Sequence, residues 1–218
     1  MIELALTDGQ RRLAITCAAI FFDMDGTLVD STICVESIWQ IWAARHGIDV
    51  EKLLHIAHGR QTQETIQLLA PHLNTPEELA FLAQAEEGCR DGIVVVPGAR
   101  ELVAALPFGC WAVVTSAWRR LAEIRLQYVG LPLPAVLITA DEISRGKPHP
   151  DGYLAAAARL GVDPSACLVF EDAPAGIDAA KAAGMRVVGV RTTFPHSQLG
   201  CEWSIDNFNS VFIRAGKQ

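Results

Sequence analysis

The chain carries no long hydrophobic run, no basic stripe, no Cys-x-x-Cys pair, no internal repeat and no low-complexity segment. Each absence excludes something. A bilayer-spanning helix needs about 20 consecutive apolar residues, and no such stretch is present. The N-terminus has Arg11 and Arg12 but no long apolar segment before Asp23, so no signal peptide is readable. No membrane partner and cytoplasmic residence are therefore expected. A net charge of −7 without a cationic stripe argues against nucleic acid as a partner. Cys17, Cys34, Cys89, Cys110, Cys167 and Cys201 lie far apart, without the spacing of a zinc site. They are expected to be buried thiols in a reducing compartment. What is present is 218 residues, 50% of them hydrophobic, enough for one large domain or two small ones.

One stretch organises the rest. Residues Ala19–Asp30 read Ala-Ile-Phe-Phe-Asp-Met-Asp-Gly-Thr-Leu-Val-Asp. The apolar run ends abruptly in Asp23, Asp25 follows two places on, and Gly26-Thr27 turn the chain. A short apolar run closed by a polar Gly turn suits a buried strand of a parallel sheet. Asp23 then stands at the carboxyl end of that strand, where open α/β sheets bind ligands. Two neighbouring carboxylates repel unless a cation or a shared proton relieves them. The pair points to Mg²⁺ and a reactive carboxylate, although a solvated Asp-Gly turn has the same local pattern.

Before this stretch, Leu4–Thr7 and Arg12–Ile15 flank Asp8-Gly9 and form either a small hairpin or a frayed tail. After it, residues 31–95 change character. Val35, Ile38, Trp39, Trp42 and Ala43 make one helical stripe that Gly47 ends. Further helices are expected near Val50–Ala57, near Gln61–Leu69, and from a Thr75 or Asn74 cap to about Asp91-Gly92, with no strand in the block. His58-Gly59-Arg60 interrupts the second and third. From Pro97 onward, helices near 99–106, 118–128, 151–160 and 175–183 alternate with short apolar runs at 110–114, 135–138, 167–170 and 186–190. That alternation means a doubly wound parallel sheet. Ser210–Ile213 is a candidate edge strand. The expected fold is a Rossmann-like α/β core of residues 1–30 and 96–218 with an all-helical insert of residues 31–95.

Three more polar sites fall at the carboxyl ends of these strands. Thr115-Ser116 follows Trp111–Val114; a hydroxyl there bonds a phosphate oxygen or caps the next helix. Lys147 sits in Ser-Arg-Gly-Lys-Pro-His-Pro, a loop stiffened by Gly146 and two prolines; it is either a cation for the carboxylates or a solvated lysine. Glu171-Asp172 follows Leu168–Phe170 and either holds Mg²⁺ or decorates a helix N-terminus. Together the four strand ends carry a nucleophile, an acid, a phosphate clamp, a cation and metal ligands, the set that phosphoryl transfer through an aspartyl phosphate requires.

With these residues the sequence resembles the haloacid dehalogenase (HAD) superfamily. Asp23-Met24-Asp25-Gly26-Thr27 is similar to its first motif, Thr115 to its second, Lys147 to its third and Glu171-Asp172 to its fourth. The second Asp implies a phosphatase or phosphomutase. The helical insert resembles the small cap of the β-phosphoglucomutase-like group, and His58-Gly59-Arg60 with Thr62 and Glu64 resembles the cap loop of bacterial sugar and hexitol phosphatases. The resemblance implies Asp23 as nucleophile and Asp25 as acid and base. It implies Mg²⁺ on Asp23, the Asp25 carbonyl and Asp172, with Glu171 acting through water. Thr115, Ser116 and Lys147 would grip the phosphoryl group, and Arg60 would meet the substrate from the cap. The implied activity is hydrolysis of small sugar or polyol phosphates by a monomer or weak dimer. The same scaffold also carries phosphomutases. A non-catalytic phosphate-binding regulator should lack Asp23 or Asp25, and both are present. A phosphonate-cleaving relative needs a cap lysine, and Lys52 sits among Glu51, Leu53 and Leu54 as an ordinary helix-surface residue.

Overall fold

The chain enters the fold through an antiparallel hairpin, Ile2–Asp8 (β1) and Arg11–Cys17 (β2), with Leu4 opposite Ile15 and Leu6 opposite Leu13. The computed structural model describes residues 1–9 and 11–214. The hairpin, not the tail, is realised. Gly9 lies at φ 59°, in the left-handed region its turn needs. Leu4 and Leu6 are buried, which fixes the register.

Ala19–Phe22 (β3) follows at once. The two-residue strands Val29–Asp30 (β4) and Val94–Val95 (β5) pair antiparallel where the chain leaves for the helical block and returns from it. The block itself holds Thr32–His46 (α1), Val50–Ala57 (α2), Thr62–Leu69 (α3) and Pro76–Gly88 (α4). Gly47 closes α1 in the left-handed conformation, Asp49 caps α2 on the N–H groups of Glu51 and Lys52, and Thr75 caps α4 on the N–H of Glu78. Two expectations are corrected here. Val94–Val95 is a strand inside the block, and α4 stops at Gly88 rather than near Gly92. The Arg90 guanidinium bonds the carbonyls of Glu87 and Cys89, at 2.6 Å each, and so replaces a further helical turn.

The remaining elements alternate. They are Ala99–Ala105 (α5), Trp111–Val114 (β6), Arg119–Tyr128 (α6), Val136–Ile138 (β7), Asp151–Leu160 (α7), Cys167–Glu171 (β8), Pro174–Ala182 (α8), Arg186–Val190 (β9), His196–Leu199 (α9), Ser204–Ile205 (β10) and Val211–Arg214 (β11). The main sheet has the order β10-β9-β8-β3-β6-β7, all parallel. It is the Rossmann-like doubly wound sheet the alternation implies. The chain builds outward from β3 to β7, then returns to β8 on the other side of β3, so the switch in direction lies between β3 and β8. Ser204–Ile205 supplies the sixth strand. Val211–Arg214 is an edge strand, but of the separate antiparallel sheet β11-β1-β2.

All four residues of β3 are buried, because both faces of the sheet are covered. Ile20 and Phe22 enter one core with Leu168 and Phe170; Ala19 and Phe21 enter the other with Val169 and Tyr153. Phe22 stacks on Phe170 with centroids 5.5 Å apart, and both meet Phe208 edge-on. The expectation of six free thiols is also corrected. Cys34 in the first turn of α1 and Cys89 just beyond α4 form a disulfide across 55 residues, with Cα atoms 6.2 Å apart. Cys17, Cys110, Cys167 and Cys201 are free thiols.

Candidate active site

β3 delivers Asp23 to the switch point. The Asp23 N–H bonds the Phe170 carbonyl at 3.0 Å, which locks the end of β3 to β8. The chain then turns tightly, with the N–H groups of Thr27, Leu28 and Val29 all directed at the Met24 carbonyl. Gly26 has φ 78°, and a Cβ there would overlap the Asp172 carboxylate. Glycine is thus required twice at one position, for backbone and for space.

Lys147 Nζ lies 2.5 Å from Asp23 Oδ1 and 2.5 Å from Glu171 Oε1. Glu171 Oε1 also accepts from the Tyr153 hydroxyl at 3.0 Å, while Oε2 accepts from the N–H groups of Asp172 and Ala173. Asp172 Oδ1 accepts from Thr27 Oγ1 at 3.3 Å. Asp23, Lys147, Glu171 and Asp172 are each no more than 3% exposed. Burial pushes the Asp23 carboxyl up to about 7; the Lys147 charge opposes this and Glu171 adds to it. Burial, with Glu171 and Asp23 beside it, holds Asp172 well above the usual carboxylate range. Burial alone would lower Lys147, but Asp23 and Glu171 outweigh it and hold the ammonium above its ordinary value.

Oxygen atoms of Asp23, Glu171 and Asp172 lie within 4.8 Å of one another. Three buried carboxylates against one ammonium leave negative charge uncompensated, and all the donors are hard oxygens. A divalent cation of the Mg²⁺ type fits that donor set. The Asp25 carboxylate stands outside the cluster. Its Oδ1 accepts from Ser31 Oγ at 2.7 Å and its Oδ2 pairs with Arg125 Nη1 at 2.7 Å. Only its backbone carbonyl is left for a metal.

Thr115, at the end of β6, is buried and accepts at Oγ1 from the Ala117 N–H at 3.1 Å. It closes a small turn rather than capping α6, whose N-cap is Trp118, and its hydroxyl proton stays available for a ligand. Ser116 Oγ donates to the Gly59 carbonyl at 2.9 Å, so its side chain ties the sheet to the helical block. Arg60 Nη1 reaches the Lys147 carbonyl at 3.4 Å, and the Gly146 N–H donates to Glu64 Oε1 at 2.9 Å. The α2–α3 turn therefore lies directly over the strand ends. Asp23, Asp25, Thr115, Ser116, Arg60 and Asp172 line one cavity of about 70 Å³. Lys147 and Glu171 stand behind Asp23, and Lys52 is exposed on α2, away from the cavity.

Sequence reasoning missed Arg125, Glu86 and Tyr153. Arg125 is 2% exposed and Glu86 9% exposed, and both line the cavity. Burial raises Glu86 to about 7 against the lowering charge of Arg125. A signal existed. Arg125 shares the buried face of α6 with Leu121, Ala122 and Leu126, and Glu86 lies four residues after Leu82 on the buried face of α4. A charge on an apolar stripe is the pattern to look for.

A family model described as haloacid dehalogenase-like hydrolase matches residues 17–184. Hexitol phosphatase A of Escherichia coli is 40% identical over 182 residues, 80% of this chain and 83% of that protein. Glycerol-1-phosphate phosphohydrolase 2 of Saccharomyces cerevisiae is 36% identical over 217 residues, 92% of this chain and 86% of that one. Among solved structures, a hydrolase from Pseudomonas syringae superposes with a TM-score of 0.77 at 27% identity, over 89% of this chain and 95% of its own.

Proposed function

The chain belongs to the haloacid dehalogenase-like hydrolases and is a phosphoric monoester hydrolase, and from that premise we propose that it hydrolyses small sugar or polyol phosphates, with Mg²⁺, through a phosphorylated Asp23. The observation that carries this reading is geometric. Asp23 and Asp25 face one cavity, backed by Lys147 and flanked by Arg60. In the first step an Asp23 oxygen bonds to phosphorus as the phosphorus–ester oxygen bond breaks. Asp25 gives its proton to the departing oxygen. In the second step Asp25 takes a proton from water. The water oxygen attacks phosphorus, and inorganic phosphate leaves the regenerated Asp23 carboxylate. Lys147 and the Thr115 hydroxyl hold the phosphoryl oxygens, and the N–H groups near Gly26 and Ser116 assist.

Asp23, Asp172 and the Asp25 carbonyl would hold Mg²⁺, whose charge lets a carboxylate approach a phosphate. Glu171, bonded to Lys147, Tyr153 and two backbone N–H groups, steadies the cluster and would act on the metal through water. Residues 31–95 act as a cap domain over a core of residues 1–30 and 96–218, and closure excludes bulk water. The names of the relatives, a hexitol phosphatase and a glycerol-1-phosphate phosphohydrolase, support the substrate class.

Phosphate release over a panel of sugar and polyol phosphates with Mg²⁺ tests the reading. Isomer formation without phosphate release would favour a phosphomutase instead. Asp23→Asn should abolish turnover with the circular dichroism spectrum unchanged, because an amide does not attack phosphorus. A folded variant that keeps more than a small fraction of activity removes Asp23 as the nucleophile.

A further inference from the structure

We propose that Arg125 and Glu86 form the subsite that reads a neutral hydroxyl on the carbon next to the phosphoester. The proposal rests on the phosphatase reading above and names the part of the leaving group that the cavity selects.

Arg125 comes from α6 and Glu86 from α4, so one belongs to the sheet-flanking helices and the other to the helical block. Both side chains are more than nine-tenths buried and both line the cavity that holds Asp23 and Asp25. Arg125 spends Nη1 on Asp25 Oδ2, at 2.7 Å. Among the described residues its Nε and Nη2 have no acceptor, and Glu86 Oε2 has no partner. Buried polar atoms are rarely left unpaired in this way. Three such atoms on two side chains lining one cavity are the signature of a ligand contact.

The chemistry of that ligand follows from the atoms. Guanidinium N–H groups require an acceptor, and a carboxyl oxygen in an acidic surrounding requires a donor or a shared proton. A hydroxyl accepts from Arg125 and donates to Glu86 at once. A second phosphate or a carboxylate would satisfy Arg125 but would bring its charge against Glu86 and Asp25. The subsite therefore selects a neutral hydroxylated leaving group over a second anion. Trp39 and Trp118, also in the lining, offer apolar faces to the carbon skeleton.

The position follows as well. Arg125 grips the carboxylate that protonates the leaving oxygen, and its guanidinium is planar and rigid. A hydroxyl held by the remaining donors sits beside that oxygen, on the adjacent carbon.

The test compares glycerol 1-phosphate with propyl phosphate, which keeps the ester and lacks the hydroxyls, and with 3-phosphoglycerate, which adds a charge. The wild-type enzyme should favour glycerol 1-phosphate over propyl phosphate in kcat/KM by about ten- to a hundred-fold, the value of a charge-assisted hydrogen bond. In Glu86→Leu and in Arg125→Lys, which keeps a cation near Asp25, this preference should collapse toward about one. A preference kept in both variants would make the pair a support for the fold or for Asp25, and would overturn the proposal. No preference in the wild-type enzyme would overturn it without any variant having to fold. A preference for 3-phosphoglycerate would overturn the choice of a neutral group. Absence of phosphate release from every sugar and polyol phosphate would instead sink the phosphatase reading itself.

Discussion

Glu86 shows how strongly a single buried carboxyl weights this molecule. It faces Arg125 and, further off, Asp25, and burial lifts its pKa from an ordinary 4.5 to about 7. Between those values the folded chain binds the proton more tightly than the unfolded chain. Stability therefore falls as pH rises through that window. Gln at this position carries no titrating proton. The advantage of Glu86→Gln over the wild-type protein should grow between pH 5 and pH 8, by on the order of 3 kcal/mol. Urea unfolding at the two pH values measures it, and a pH-independent difference would show that Glu86 stays charged. Residues of this kind were hard to read from the sequence. Asp23, Asp25, Glu171 and Asp172 end or follow short apolar strands, and Lys147 stands in a loop stiffened by Gly146 and two prolines, so position made them conspicuous. Arg125 lies among Arg119, Arg120 and Glu123 on a helix rich in charge, and only the packing of α6 against the sheet picks it out.

At the scale of elements, the α2–α3 turn is where the helical block meets the sheet. Gly59 has φ 79°, and a Cβ there would stand 2.6 Å from the Ala173 Cβ, at the loop that carries Asp172. Ser116 and Gly146 fasten the same region through the Gly59 carbonyl and Glu64. The turn was legible as a Gly break between two helices. Its seating was not, because the partners lie 57 and 82 residues away. The Cys34–Cys89 disulfide escaped for the same reason. Arg60 projects from this turn into the cavity. Among the described residues its side chain makes one hydrogen bond, the long 3.4 Å bond to the Lys147 carbonyl, which leaves most of its donors for a ligand. Arg60→Ala should lower kcat/KM for sugar phosphates by about ten- to a hundred-fold, the loss of a charge-assisted bond. An aryl phosphate without hydroxyls should be affected much less. Equal losses on both substrates would make Arg60 a phosphate contact, and no loss on either would return it to the surface.

At the scale of the whole molecule, a chain of net charge −7 gathers three buried carboxylates at the switch point of its sheet and sets one lysine among them. The sheet was legible because helix and strand periods alternate after Pro97. The N-terminal hairpin and the last strand were legible as pieces, but not their pairing into the small sheet β11-β1-β2, because it joins segments far apart in the sequence. Concentrating like charge in a buried cluster destabilises the fold until a cation relieves it. Metal binding should thus be visible in stability as well as in activity. Only the folded chain brings Asp23 and Asp172 together, so Mg²⁺ at a hundredfold excess over its Kd should add about 2.7 kcal/mol. For a chain of this size that is a rise in Tm of about 5–10 °C. Asp172→Asn should remove most of that rise. Chelation should abolish turnover, Mg²⁺ should restore it, and Ca²⁺ should bind without restoring it, because its looser coordination permits Asp23 to take the metal in a geometry unsuited to in-line attack. Full turnover after chelation, or a Tm that ignores Mg²⁺ in the wild-type protein, would mean that Lys147 alone balances the cluster and that the carboxylates hold no metal.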